Sequence, residues 1–454
     1  MSAPVSLSTP EPGERAVALV HPHMRALDGI RFIAAFCVLA GHGYGYVVLQ
    51  PSIPATDPIS TLLVSLPGLG MTLFFVLSGF VIHYNYHRTV GIGSSGNGDF
   101  FIARFSRLYP LFLAVFAIEF IHMLWLEGYL SGAPLDDFDL FGPLPFFLSF
   151  TQTWLFIPFD GHPLYEHYGW LSSDAQATGA MWSLSVEALF YLVYPLFSIW
   201  LVRRRGKSLL AFAGAVAAVG IAYYAWGIYH VGAIQAWGIW FYGTASLGQS
   251  FAGWVVFYSP VGRFSEFLLG AAAAQYYLSR PVQNGVVARW PNGWTSALLA
   301  GIAVWLIATR LTGSPLGGVN ASIAAAAISG FVLLAVLHRT WASRLMSSRL
   351  LVKGGEASYS LYLLHWYTMQ VWAAPRAAGL GTLGRIAIYL AGIALSLALA
   401  RAVYLLFERP ALRWLRAHFR PLRLHVVLGS LFVATTLLCL VVSLHTHAAG
   451  HIPH

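Results

Sequence analysis

Apolar residues in this chain come in long unbroken runs, without the strict alternation that marks half-buried strands. A run of about 17 to 25 such residues is long enough to cross a hydrocarbon core as a helix. The pattern predicts about eleven spans, at residues 27–49, 60–86, 108–126, 182–202, 209–229, 262–278, 294–309, 321–337, 357–374, 386–407 and 424–444. The expected fold is therefore all-α, a polytopic integral membrane helical bundle. The first run is no cleavable leader, because it is long, carries Arg31 and lacks a small-residue cleavage site. Residues 1–23, rich in Pro and Ser, read as a flexible tail.

Two further apolar stretches are set apart from the spans. Residues 141–158 are apolar enough to cross, but a crossing there would carry the acidic stretch 160–180 into the cytoplasm. It would also send Arg203, Arg204, Arg205 and Lys207 outward. The stretch is read as a re-entrant or outer-surface segment, and residues 230–261 as a similar one. Irregular backbone at membrane depth must be covered by protein or water, so both segments suit the roof of a cavity.

Composition agrees with this reading. Hydrophobic residues make up 57% of the chain and charged residues 9%, against roughly 25% charged in a soluble protein. The net charge of +9 is almost wholly arginine, and its placement orients the bundle. Arg88, Arg104, Arg107, the 203–207 cluster, Arg280, Arg289, Arg339, Arg344, Arg349 and Lys353 fall on one side, as do Arg409, Arg413, Arg416, Arg420 and Arg423. The opposite loops carry Asp57, Glu127, Asp136, Asp137, Asp139, Asp160, Glu166 and Asp174. Lys and Arg concentrate in cytoplasmic loops, which puts the N-terminus in the cytoplasm of a cytoplasmic (inner) membrane and the C-terminus outside. With the arginines so explained, no nucleic-acid partner is expected. Cys37 and Cys439 both lie in apolar runs, so neither a disulfide framework nor a Cys-based metal site is expected. No metal and no permanently bound cofactor is anticipated.

An ionisable group inside a span is expensive, about 2.5 to 3.5 kcal/mol for a charged type at mid-helix, so it needs a partner or a task. The first span holds Arg31 and His42, eleven residues apart. Eleven residues are close to three turns, which puts both on one face about 16 Å apart along the axis. Gly41, Gly43 and Gly45 flank His42 and leave it open to close approach. Imidazole is well suited to take a proton near neutral pH, so His42 is the candidate general base; the alternative is a histidine bonded between helices for packing. Glu187 lies at nearly the depth of His42 and is placed either to orient that imidazole or to pair with Arg263. Glu119 and Glu266 are further buried candidates without an assigned role. Arg104 and Arg107, three apart at the start of the third span, form a fork suited to phosphate; ordinary membrane anchoring explains such a pair equally well.

In combination these segments resemble acyltransferase family 3, membrane-bound O-acyltransferases that modify polysaccharides, lipids and some antibiotics in bacteria. The resemblance rests first on Arg25 to Ala35, leading to His42 at the family's Arg-x10-His spacing. It continues through Phe74 to Phe80, Arg104-x-x-Arg107 with Tyr109-Pro110, and Trp182 to Glu187. Arg263 to Gly270, Ser358 to His365 and Glu408-Arg409-Pro410 complete an ordered set covering most of the chain. The resemblance implies an acyltransferase domain at 24–410, a basic cytoplasmic linker at 411–423, and an additional helix with a short outer tail at 424–454. The family usually has ten spans, so the last is an addition, and no second catalytic domain is expected beyond it.

What the resemblance implies chemically is transfer of an acyl group from acyl-CoA, with acetyl-CoA the expected co-substrate, to a hydroxyl acceptor. The acceptor would be a carbohydrate, a lipid or a small molecule. Arg104, Arg107 and Tyr109 would bind the donor, and Arg31 would hold donor or oxyanion. His42 would act as general base or transient acyl carrier, with Glu187 beside it. Arg263, Ser183 and His365, which lie in matching segments, are further candidates. A multi-span transporter or flippase shares the many spans and buried charges, though the chain shows no internal repeat. A non-catalytic scaffold is the third reading.

Overall fold

A computed structural model describes residues 24–49, 57–90, 94–123, 143–159, 162–164, 181–279, 328, 330, 332 and 341–418. The expected spans at 294–309 and 424–444, and nearly all of 321–337, lie outside the described residues, as does the 1–23 tail. The described elements are helices, apart from one antiparallel pair of two-residue strands, β1 (Pro158–Phe159) and β2 (His162–Pro163), with Phe159 opposite His162.

Three helices make the centre: α1 (Arg25–Gly43), α2 (Pro58–Tyr86) and, from later in the chain, a helix over Pro260–Leu278. Asp57 caps α2, its carboxylate accepting from the amides of Ile59 at 3.0 Å and Ser60 at 2.9 Å, with Pro58 in the first turn. Hydrogen bonds from the Ser60 side chain and from these amides hold the Asp57 carboxyl below its ordinary range. Next come α3 (Ser94–Met123), the one-turn α4 (Leu144–Leu148), α5 (Trp182–Leu201) and α6 (Gly206–Tyr229). They are followed by α7 (Val231–Tyr242), α8 (Ala245–Gly253) and α9 (Pro260–Leu278), the third central helix. The last set is α10 (Trp341–Met346), α11 (Arg349–Glu356), α12 (Ser358–Trp366), α13 (Thr382–Val403) and α14 (Arg409–His418). Among the described residues, six helical stretches are long and apolar enough to cross a membrane: Arg25–Leu49, Ile59–Tyr86, Gly96–Ile121, Trp182–Leu201, Gly206–Tyr229 and Thr382–His418. The chain is an all-α, multi-pass membrane protein. α9 is helical where a span is expected, but its buried Arg263, Glu266 and Gln275 dilute its apolar character.

Small residues let the central helices touch. A methyl group on Gly79 would come within 2.0 Å of the Phe267 carbonyl oxygen, and one on Gly270 within 1.9 Å of the Val76 oxygen. α2 and α9 therefore meet backbone to backbone, the close approach that glycine permits between helices in a membrane. The same device brings α1 against the helix over Arg349–Glu356, where a Gly355 methyl would strike the Asp28 carbonyl oxygen at 1.9 Å. At the periphery the pattern inverts. α13 buries only Gly392, Ser396 and Ala400, four residues apart, and turns Leu383 and Leu390 outward.

Residues 143–159 hold no helix long enough to cross. α4 is one turn long and ends with Phe150 at φ 58°, a left-handed position usually given to glycine. That conformation lets the Thr151 amide reach the Phe146 carbonyl at 2.8 Å, and the Phe150 ring is held 4.5 Å from that of Phe112. The segment is sewn to the start of α5: Thr153 Oγ1 donates to Ser185 Oγ at 2.8 Å and Trp154 Nε1 to the Ser185 carbonyl at 2.9 Å. Trp254, just after α8, donates through Nε1 to the Thr153 carbonyl at 2.8 Å. The two aromatic segments set apart from the spans thus pack on each other, with the Phe156 ring between Tyr242 and Phe251.

Candidate functional site

Two polar clusters lie along α1, one at each end. His42 occupies its last α-turn, where the helix widens into π-turns over Tyr44–Leu49. His365 lies in the last turn of α12 in the same way, two residues before π-turns at Tyr367–Ala373. Widened turns of this kind shift side-chain register and recur at functional sites. Here they accompany a direct contact: His42 Nδ1 lies 3.0 Å from His365 Nε2, with the two rings stacked at 5.3 Å and 16°. Pro67 of α2 sits against Gly41 and Met369 against Gly43, so the glycines beside His42 admit neighbouring helices.

The hydrogen-bond network assigns the protons. The Tyr362 carbonyl oxygen, 2.6 Å from His365 Nδ1, can only accept, so His365 carries its proton on Nδ1. Nε2 of a neutral His365 is then an acceptor, and His42 must donate to it from Nδ1. The remaining lone pair of His42 is on Nε2, which has no hydrogen-bond partner among the described residues. An imidazole with one nitrogen fixed as donor and the other free as acceptor is configured as a base.

The second cluster surrounds a cavity of about 90 Å³, several times the roughly 10–15 Å³ that one water needs. Arg31, Arg104 and Arg107 line it together with Glu187, Ser183 and Tyr362. Arg31 is ion-paired with Asp28 at 2.9 Å. Arg104 donates to the Tyr86 hydroxyl at 3.2 Å and lies over the Tyr86 ring at 5.2 Å, while its Nε is buried without a partner. The arrangement offers fixed cations to an anion.

Several sequence expectations are corrected by this geometry. Glu187 does not orient His42: it accepts from Ser78 Oγ at 2.8 Å and from the Tyr191 hydroxyl, and lines the arginine cavity instead. Nor does it pair with Arg263, which is bound to Glu266 at 2.9 Å with both side chains fully buried and the guanidinium 3.7 Å over the Phe257 ring. Tyr109 does not line the cavity with Arg104 and Arg107. Its ring stacks on Phe105 at 4.4 Å and meets Phe150 edge-on, outside the cavity lining. Arg31 stands with Arg104 and Arg107 rather than with His42, because one face of a helix still separates residues eleven apart by about 16 Å. His42 itself is not part of the cavity wall.

Tyr362 joins the two clusters. Its hydroxyl pairs with Ser183 Oγ at 2.7 Å at the cavity, while its backbone carbonyl holds His365. Neither Tyr362 nor Tyr191 was singled out by sequence. Tyr191 stands four residues after Glu187, a helical neighbour spacing that points to the contact.

Residues 24–405 match the model of a family described as an acyltransferase domain. The chain is 26% identical over 400 residues to Nodulation protein 10 of Rhizobium leguminosarum bv. viciae, covering 86% of this chain and 94% of that protein. It is 27% identical over 405 residues to Acyltransferase MdmB of Streptomyces mycarofaciens, covering 86% and 92%. Protein 2 in picA locus of Rhizobium radiobacter is 29% identical over 197 residues, 43% of this chain and 93% of that protein. No solved structure matches.

Proposed function

The chain belongs to the acyltransferase family whose model covers residues 24–405, and from that premise we propose that it transfers an acyl group from acyl-CoA to an acceptor hydroxyl, with His42 as the base. The observation that carries this reading is the directed hydrogen-bond chain from His42 Nδ1 through His365 to the Tyr362 carbonyl, which leaves His42 Nε2 free. His42 Nε2 takes the proton of the acceptor hydroxyl as its oxygen attacks the thioester carbonyl carbon. The carbon–sulfur bond then breaks, and the departing thiolate recovers the proton from the imidazolium. His365 is a positioning residue: by accepting from Nδ1 it holds the tautomer and steadies the positive charge that develops on the ring.

In this reading the arginine-rich side faces the cytoplasm, and the CoA phosphates meet Arg31, Arg104 and Arg107. The pantetheine arm follows the cavity toward Tyr362. Phe74, edge to face with Tyr362 at 5.6 Å, lines the same cavity, so movement of these two rings admits the thioester to His42. Acetyl is the acyl group proposed. The acceptor is a carbohydrate, lipid or small-molecule hydroxyl, a range in keeping with relatives named for nodulation and for acyl transfer.

The test is release of free thiol from labelled acetyl-CoA by the purified protein in detergent, with candidate acceptors supplied. Turnover by the natural chain that vanishes in His42→Ala supports the assignment. Equal turnover in both removes His42 from the chemistry, and no CoA-dependent turnover with any acceptor removes the donor.

A further inference from the structure

The helix that begins at Thr382 runs to His418, 37 residues in all. At about 1.5 Å per residue it is roughly 55 Å long, well beyond the ~30 Å hydrocarbon core. Its last segment, α14, therefore emerges on the arginine-rich side, and there it packs along α3, the helix that carries Arg104 and Arg107. Ala411, Leu412 and Leu415 form the partly buried edge of α14, and Arg416 stands four residues after Leu412 beside that edge. Its guanidinium is within electrostatic reach of Tyr86, Arg104 and Arg107.

Three cations thus stand near one another on this side, with Glu187 acting electrostatically on Arg104 and Glu408 on Arg107. Among the described residues none of the three is ion-paired. Arg104 keeps a buried, unpartnered Nε, and the two nearby carboxylates are otherwise hydrogen-bonded, Glu187 to Ser78 and Tyr191 and Glu408 to Ser360. Such a cluster calls for an anion with more than one charged group. Two arginines at helical spacing suit the diphosphate of a CoA donor. A third, on a separate helix, suits a second phosphate set apart from the first.

We propose that Arg416 binds the 3′-phosphate of the donor's adenosine ribose, so that α14 completes a clamp with Arg104 and Arg107 that selects CoA over carriers lacking that group. The proposal rests on the donor reading above. A phosphate monoester carries close to two charges near neutral pH, so it gains most from a third guanidinium. Anionic lipid headgroups offer the same chemistry from another source, and the experiment separates them.

Binding of CoA and of 3′-dephospho-CoA to the purified full-length protein is compared in nanodiscs of phosphatidylcholine, with and without phosphatidylglycerol. The natural chain is expected to prefer CoA by about ten- to a hundredfold, the range for one charged phosphate contact. Arg416→Ala is expected to bind the two alike, at the affinity the natural chain shows for 3′-dephospho-CoA. Arg413→Ala, exposed on the same helix, should keep the preference. The proposal is overturned if Arg416→Ala keeps the preference, if it weakens both ligands equally, or if its effect appears only with phosphatidylglycerol. A natural chain that binds both ligands tightly and equally also overturns it while leaving the donor reading intact. Binding of neither ligand overturns the donor reading itself and this proposal with it.

Discussion

Nδ1 of His42 and Nε2 of His365 stand 3.0 Å apart although 323 residues separate them in the chain. The contact makes His365 a selective target. His365→Phe preserves a ring to stack on His42 but removes the acceptor for its Nδ1–H. We expect kcat to fall about a hundredfold or more, the scale of lost general-base catalysis, with donor KM changed less than about threefold. His365→Gln, whose amide oxygen can accept, should recover part of the loss. Steady-state thiol release measures both, and a proportionate rise in KM would argue for a packing role alone.

Replacing Arg104 and Arg107 together by Ala removes two of the three arginines lining the cavity. Donor KM should rise more than tenfold, with a smaller change in turnover at saturating donor. Titration of initial rate against acyl-CoA distinguishes this from a loss of kcat, which would place the pair at the reacting atoms.

Of the nine site residues anticipated from sequence, the pairing of Arg104 with Arg107 was legible because helical spacing alone puts them side by side. Glu187 was expected at nearly the depth of His42, beside it or Arg263; it lines the cavity with Arg31, Arg104 and Arg107 instead. Counting residues from a helix end gives height in the membrane, but the direction in which a side chain points depends on how its helix is rotated against its neighbours. Tyr109 was misread for the same reason: its ring turns toward Phe105 and Phe150 rather than into the cavity. The bond between His42 and His365 was hidden because no local pattern links positions so far apart. The segment near 150 was set apart from the spans by charge balance and the one near 240 by its aromatic, nearly uncharged composition, whereas their pairing through Trp254 and Thr153 was not legible.

Gly270→Ala should be poorly tolerated, since the new methyl group would lie 1.9 Å from the Val76 carbonyl oxygen. Forcing α2 and α9 apart should cost about 1–3 kcal/mol, in line with other overpacked cores. Gly45→Ala, where nothing lies within 4 Å, should be nearly neutral. Thermal unfolding in detergent compares the two, and equal midpoints would contradict the close approach.

Arg263 and Glu266 form a fully buried pair. Arg263→Met leaves a carboxylate without its cation, a loss of about 3–5 kcal/mol. The double replacement Arg263→Met with Glu266→Leu should recover much of it, because both desolvated charges are gone. A double variant no more stable than the single one would show that the pair does more than satisfy itself.

The contact of α2 with α9 sets a limit on how this enzyme can accommodate substrates. Helices that meet through bare backbone at glycines resist sliding, because a shift along the seam brings a side chain against the facing carbonyl. The side of the arginine-lined cavity built from α2 thus acts as a fixed anvil. Tolerance for longer acyl chains is left to swinging aromatic side chains such as Phe74 and to the roof, so variants with altered acyl-length preference should arise there and not along the glycine seam.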